Sequence, residues 1–155
     1  DFQVTNNIRD DPYPDKTPVS ILEREYLVST FTLSTDSDVT LYPINLLLAL
    51  PTIKNYLKNF AYLRAGVQLR VEILSTPMQF GAVGVSWLPY ITGSAYSSVQ
   101  AQSQSSMHIM DVCQQESLTI KLPYLRPSLY YDLSDSQQQD WRVMFHGFVV
   151  DTITA

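Results

Sequence analysis

Tyr62-Leu-Arg-Ala-Gly-Val-Gln-Leu-Arg-Val-Glu-Ile-Leu-Ser-Thr-Pro-Met-Gln-Phe-Gly-Ala-Val-Gly-Val-Ser-Trp-Leu-Pro-Tyr90 is the stretch whose reading decides the fold. From Val67 to Ile73 apolar and polar residues alternate strictly: Val67, Leu69, Val71 and Ile73 against Gln68, Arg70 and Glu72. Successive strand side chains point to opposite faces, so this is a strand with one buried and one polar face. Thr76-Pro77 breaks the chain, and Gly81 to Leu88 gives a second strand. Its bulky face is Val83, Val85 and Trp87; its other face, Ala82, Gly84 and Ser86, is small enough for another backbone or sheet to approach closely. No Asp, Glu, Lys or Arg lies between Glu72 and Asp111. A soluble domain seldom leaves so much chain uncharged unless a partner covers part of it. The pattern points to a β-sandwich packed among other proteins.

Working outward from this stretch, Leu22 to Leu33 contains an earlier strand, with Leu27, Ser29, Phe31 and Leu33 on one face, and Ser34 to Asp38 is a turn by composition. Val39 to Leu48 resumes as strand, with an edge position or bend at Pro43. Pro51 to Phe60 is a helix: Pro51 suits its first position, and Ile53, Tyr56, Leu57 and Phe60 share one face. Met107 to Val112, Leu118 to Leu122 and Trp141 to Val150 are further strands, the last apolar on nearly both faces and so central. Residues 91–106 and 128–139 are long polar loops. About seven strands with one helix, and no alternation of strand and helix, argue for an antiparallel sandwich with Greek-key wiring. Residues 1–20, rich in Asp and Pro, form an extended N-terminal arm, and 21–155 form the domain.

The totals restrict function. Charged residues are 16% of the 155-residue chain, below the roughly 25% typical of soluble domains, and the net charge is −5. The basic residues are scattered, so the segment does not support RNA contact through a basic patch. No apolar run approaches the roughly 20 residues of a membrane-spanning helix. Cys113 is the only cysteine, which excludes an internal disulfide, and a buried structural thiol is the expectation for it. That lone cysteine and the absence of Asn-x-Ser/Thr sites fit manufacture in the cytoplasm.

Chemistry is hard to find. There are two histidines, no Gly-x-Ser-x-Gly elbow, and His108 and Asp111 fall on opposite faces of a strand. Each histidine reads as a strand residue hydrogen-bonded to backbone. No converging His, Cys, Asp or Glu set suggests a metal, and Asp36 and Asp38 read as a solvated turn. No catalytic residue, metal or cofactor is therefore assigned. Tyrosines at strand ends and in loops remain, a residue type favoured where a large ring meets a polar rim at an interface. Tyr90, Tyr96, Tyr130, Tyr131 and Arg126 are the candidates for a subunit interface or outer surface.

Several segments together resemble the capsid proteins of picorna-like small positive-strand RNA viruses (picornavirus, dicistrovirus and iflavirus types). Ile21-Leu-Glu-Arg-Glu-Tyr-Leu-Val28 looks like the approach to that family's strand B, and Pro51 to Leu63 like the helix leading to strand D. Thr76 to Tyr90 is similar to strand E, Met107-His-Ile-Met-Asp111 to strand F, and Leu118-Thr-Ile-Lys-Leu-Pro-Tyr-Leu125 to strand G. The resemblance implies an eight-stranded jelly roll with sheets BIDG and CHEF, preceded by one short helix before strand D. It implies a structural virion protein, not an enzyme, assembling with homologous subunits into a pentamer and an icosahedral shell around RNA, with loops 89–106 and 126–140 facing neighbours, the outside or a host receptor. Localisation would be the virion, and the host cytoplasm during assembly. The alternative is a cellular jelly-roll module binding carbohydrate or another ligand. One departure stands out: strand H ends near Val150, and strand I is missing. An incomplete stretch of a longer protein, or a strand donated by a second chain, would account for it.

Overall fold

The computed structural model describes residues 21–89, 98–114, 116–135 and 140–152; side chains are described through Phe148. The elements are β1 (Asp38–Leu41), α1 (Pro43–Ala49), α2 (Pro51–Leu57), β2 (Tyr62–Leu63), β3 (Val67–Glu72), β4 (Gln79–Pro89), α3 (Val99–Ser103), β5 (Ser106–Asp111), β6 (Ser117–Leu122), β7 (Tyr131–Asp132) and β8 (Trp141–Thr152).

Four strands form one sheet in the order β1-β8-β4-β5, antiparallel throughout. β3 pairs with β6 in a second sheet, and β2 with β7 in a small ribbon. In the letters of the jelly roll the four-stranded sheet reads C-H-E-F, and β3 with β6 is the D-G pair. The alternation of β3 appears as strictly alternating burial, with Val67, Leu69 and Val71 turned inward. They pack on a core of Val83 and Val85 from β4, Met110 from β5, Ile120 and Leu122 from β6, and Trp141, Val143 and Phe145 from β8. Fully burying a side chain of this size stabilises by about 1.5–3 kcal/mol. The wholly enclosed Val85, Met110 and Val143 all belong to the four-stranded sheet, which is thus the better buried layer.

β8 is central, as its apolar composition implies, lying between β1 and β4 with both faces covered from Trp141 to Gly147. The small-residue face of β4 is approached by side chains, not by another backbone. A methyl group on Gly84 would collide with the Met107 side-chain end and lie 2.8 Å from the Phe148 ring. A register shift between Ala82 and Val83 marks a bulge, and Gly81 beside it takes φ 151°, which L residues avoid.

The structure departs from expectation in four places. The apolar run after Pro43 is a helix and not a continuation of the strand: Pro43 starts α1, and Ile44, Leu47 and Leu48 fall at helical spacing. Helix α2 stops at Leu57, so Ile53 and Leu57 are buried while Tyr56 and Phe60 remain exposed. Part of the loop before β5 is a short helix, α3, capped where the Ser98 hydroxyl accepts from the Ala101 N–H. Residues 25–34 form no ladder, although Leu33 packs on the core and the Phe31 ring lies 4.8 Å from that of Phe145.

That last departure has a single physical cause. In the order B-I-D-G, strand B hydrogen-bonds only to strand I. Among the described residues no strand lies on the edge of β3 opposite β6, so the segment at 27–33 has no partner and Leu27 stands 80% exposed. Arg70, on β3, reaches Glu25 at 3.5 Å as well as its neighbour Glu72 at 2.6 Å. These exposed ion pairs contribute little energy, but the first puts the start of the strand B segment beside β3.

Gly84→Val should destabilise the fold by roughly 1–3 kcal/mol, because Met107 and Phe148 already fill the space above the glycine. Urea unfolding followed by tryptophan fluorescence measures this; an unchanged midpoint would show that the face is open.

Candidate assembly surface

Five residues were expected at an interface or outer surface. Tyr90 and Tyr96 lie outside the described residues. Tyr130 is 52% exposed, and its ring faces that of Tyr62, itself exposed, at 6.2 Å. Arg126 is half-buried, with its guanidinium 5.6 Å from the Tyr131 ring. Tyr131 is buried at 1% exposure and presents no surface. The two adjacent tyrosines are split by strand alternation: Tyr131, paired with Leu63 in the β2–β7 ribbon, turns inward, and Tyr130 turns out.

The loop after β6 is built around Tyr131. The Tyr124 ring meets it edge-on at 4.9 Å, and the Tyr124 hydroxyl donates to the Ser128 carbonyl at 2.6 Å. Arg64 lies over the Tyr124 ring at 5.2 Å. The Tyr131 hydroxyl donates to Asp140 Oδ2, and burial together with that carboxylate pushes the phenol well above its ordinary range. Burial likewise raises the Asp140 carboxyl, opposed by the Tyr131 hydrogen bond and Arg126. At the loop's far side Ser134 donates twice to Asp132 and holds that carboxyl below the usual range. On the outside of this frame Arg64, Leu125, Arg126 and Leu129 line an open groove of about 320 Å³. Leu125, Leu129 and Tyr130 are all more than half exposed.

A second apolar rim lies in and beyond the β3–β4 connection, which was not among the expected surfaces. Leu74 is 92% exposed, Met78 65% and Phe80 44%. Ser75 Oγ donates to the Val112 carbonyl, joining this connection to the turn after β5. Cys113 in that turn is exposed, contrary to the buried thiol expected; its backbone N–H is held by Asp111 Oδ1 at 2.9 Å, which keeps it in a surface turn. The available signal was the charge gap itself: Leu74, Met78, Phe80 and the 59% exposed Ile109 all fall between Glu72 and Asp111. Exposed apolar side chains without intervening charge are the composition of a covered surface.

The histidines are differently placed. His108 is exposed on β5. His146 is buried, and its Nδ1 lies 2.7 Å from Asp38 Oδ1 on β1, a carboxylate partner and not the expected backbone one. Its ring also meets Phe148 edge-on at 4.9 Å. Asp38 is thus engaged with an imidazole and is no simple solvated turn residue. An acid–histidine pair invites comparison with a hydrolase. Ser86, on the same sheet face, is fully buried and its hydroxyl has no hydrogen-bond partner among the described residues, so it is neither activated by His146 nor reachable. The pair instead ties the edge strand β1 to the central β8. Among the described residues no three His, Cys, Asp or Glu side chains converge as a metal site, and no helix is long and apolar enough to cross a membrane.

The comparisons with known proteins bear on this arrangement. Residues 14–152 match the family model for picornavirus capsid protein. The chain belongs to that capsid family. Solved structures share its fold: a marine algae virus of the order Picornavirales superposes with a TM-score of 0.77 at 20% identity, over 90% of this chain and 66% of that one. The native virion of Kashmir bee virus at acidic pH gives 0.77 at 17% identity, over 100% and 75%. The Triatoma virus empty capsid gives 0.72 at 18%, over 88% and 83%. The chain therefore spans about two thirds of the algal virus protein, and 75% and 83% of these Kashmir bee virus and Triatoma virus chains. No curated protein matches the sequence significantly. The protein is a structural capsid component with a jelly-roll fold, and the cellular sugar-binding alternative is not favoured.

Asp38→Ala should cost roughly 1–3 kcal/mol, because it leaves the buried His146 imidazole without its partner. The readout is the urea midpoint near neutral pH; no loss would mean that the pair contributes nothing to holding β1.

Proposed function

We propose that this capsid protein assembles with homologous jelly-roll subunits into pentamers and an icosahedral shell enclosing an RNA genome, its role wholly structural. The observation that carries this is the match to the capsid family along the chain, combined with apolar side chains left exposed in its connections. The rim of Leu74, Met78 and Phe80, and the groove side with Tyr130, Arg126, Leu125 and Leu129, are read as lateral contact surfaces or, for the latter, as the outer face seen by a host receptor. Tyr90 and Tyr96 belong to the same reading through the loop between β4 and β5. Residues 1–20 serve as an arm against a neighbour, with 21–155 as the jelly-roll domain. The open edge of β3, between it and the 27–33 segment that has no ladder, is where a further strand completes the smaller sheet, from elsewhere in the polypeptide or from a second chain. Assembly takes place in the host cytoplasm. The scattered basic residues give no support for direct RNA contact by this segment.

Co-expression with the companion capsid subunits, followed by electron microscopy, tests the proposal: pentamers or shells are expected, and a protein that stays monomeric beside its companions contradicts it. Leu74→Asp should sharply lower particle yield while changing the subunit's stability by no more than ~0.5 kcal/mol, since the side chain is almost wholly exposed. Full yield from that variant would remove the β3–β4 rim from the interface.

A further inference from the structure

Asp140 is 1% exposed and uses one carboxylate oxygen to accept from the Tyr131 hydroxyl. The other, Oδ1, is also buried and has no hydrogen-bond partner among the described residues. A buried carboxylate with one oxygen unsatisfied is a costly place for a full negative charge, whereas the neutral acid keeps the Tyr131 contact without that cost.

The position of this pair gives the cost a mechanical consequence. Asp140 immediately precedes the central strand β8, and Tyr131 begins β7, which is only two residues long. Other ties also hold the connection from β6 to β8. Trp141 Nε1 donates to the Pro123 carbonyl at 2.8 Å, the Leu133 N–H donates to the Ala61 carbonyl at 2.9 Å, and Tyr124 holds Ser128. Tyr131 touches both limbs, through Tyr124 and Arg126 on one side and Asp140 on the other. We propose that Tyr131 and Asp140 form a proton-dependent latch on the connection between β6 and β8, closed more firmly when Asp140 is protonated and loosened as it ionises. The latch controls the exposure of Leu125, Leu129 and Tyr130, which ride on that connection.

The groups facing the pair allow the sign to be worked out. Arg126 favours the carboxylate, as does the Tyr131 hydrogen bond; burial opposes both and prevails, so the Asp140 carboxyl is raised above its ordinary 3.8. Tyr124 stacks edge-on against Tyr131, and Arg64 lies over the far ring of Tyr124. Asp132 and Asp135 lie on the same connection, Arg142 two residues along β8, and the adjoining 136–139 are Ser-Gln-Gln-Gln, without charge. A folded-state value above the unfolded one means that folding takes up a proton. The stabilisation is complete below the unfolded value and is lost as pH rises through the folded one. Tyr131, raised from 10.0, remains a donor throughout this window.

The test uses the folded chain and is independent of assembly. Amide hydrogen exchange over residues 124–135, corrected for the intrinsic pH dependence of exchange, is compared at about pH 5 and about pH 7.5. The wild type should be the better protected at the lower pH, the direction set by the proton linkage of a carboxyl raised by burial. Asp140→Asn keeps an acceptor for Tyr131 without the titration and should show equal protection at both. An equal pH response in the two proteins, or greater wild-type protection at the higher pH, overturns the latch. If the asparagine variant does not fold, carbon-13 NMR of the wild-type Asp140 carboxyl decides: a midpoint above 3.8 is expected, and one at or below it overturns the proposal.

Discussion

The long antiparallel pairing of β4 with β8 is the constraint on which the rest of this capsid subunit depends. It runs from Gln79 opposite Thr152 to Pro89 opposite Trp141 and fixes the register of the centre of the four-stranded sheet. Because side chains alternate, one register decides both faces at once. Val83, Val85, Val143 and Phe145 are sent inward to the core, while Gly84, Ser86, Met144 and His146 go to the opposite face. A slip of one residue would bury Arg142 and His146 between the sheets and expel the core. The outer face is also closed, by Met107 and Phe148 over Gly84 and by α3 against β4 and β5, while α1 contacts both β8 and β3. Edge strands are then added by local chemistry: β1 through its ladder and Asp38 with His146, β5 through its ladder with β4.

The opposing layer is much less complete, and the asymmetry is informative. β3 and β6 supply apolar side chains to the same core but form only a two-stranded sheet among the described residues. Among the described residues no strand pairs with the other edge of β3, and the segment that would lie two strands away is extended without a ladder. A monomer standing alone would expose this edge to edge-to-edge aggregation. Exposed Leu74, Met78 and Phe80 in one region, and Leu125, Leu129 and Tyr130 in another, have the same character: surfaces that make sense once something covers them. A strongly charged exterior would resist such packing. The chain between Glu72 and Asp111 has none of that charge.

Most of the fold was legible because the decisive strands carry period-two patterns that tertiary structure did not override. Val67–Ile73 showed its buried face outright, and the apolar composition of residues 141–150 marked a central strand. The run Pro43–Leu48 differs from expectation because an apolar stretch of that length fits a strand or a helix, and only its packing with Ile53 and Leu57 of α2 and with Leu133 settles which. The segment at 27–33 has the alternation of a strand but no ladder, because alternation describes faces and is silent on whether a neighbour is present. At the surface, composition named Tyr130 and Tyr131 together, yet Tyr131 enters β7 and turns inward while Tyr130, just before it, stays exposed, and Tyr131 is the hub of its loop. Asp38 pairs with a histidine 108 residues along the chain and Asp140 with a tyrosine nine residues back across a loop, pairings that no strand or helix period encodes. Leu74 and Met78 lie within the uncharged stretch, but they do not belong to the aromatic class that marks an interface by composition.

Residue-resolved native-state hydrogen exchange of the isolated subunit tests the central role of the β4–β8 pairing most directly. If that pairing holds the fold, the slowest amides belong to β4 and β8, those of Val85, Val143 and Phe145 among them, and they exchange only through global unfolding, with β3 and β6 opening earlier. Slowest exchange in β3 and β6 or in the helices, with β8 opening locally, would contradict it.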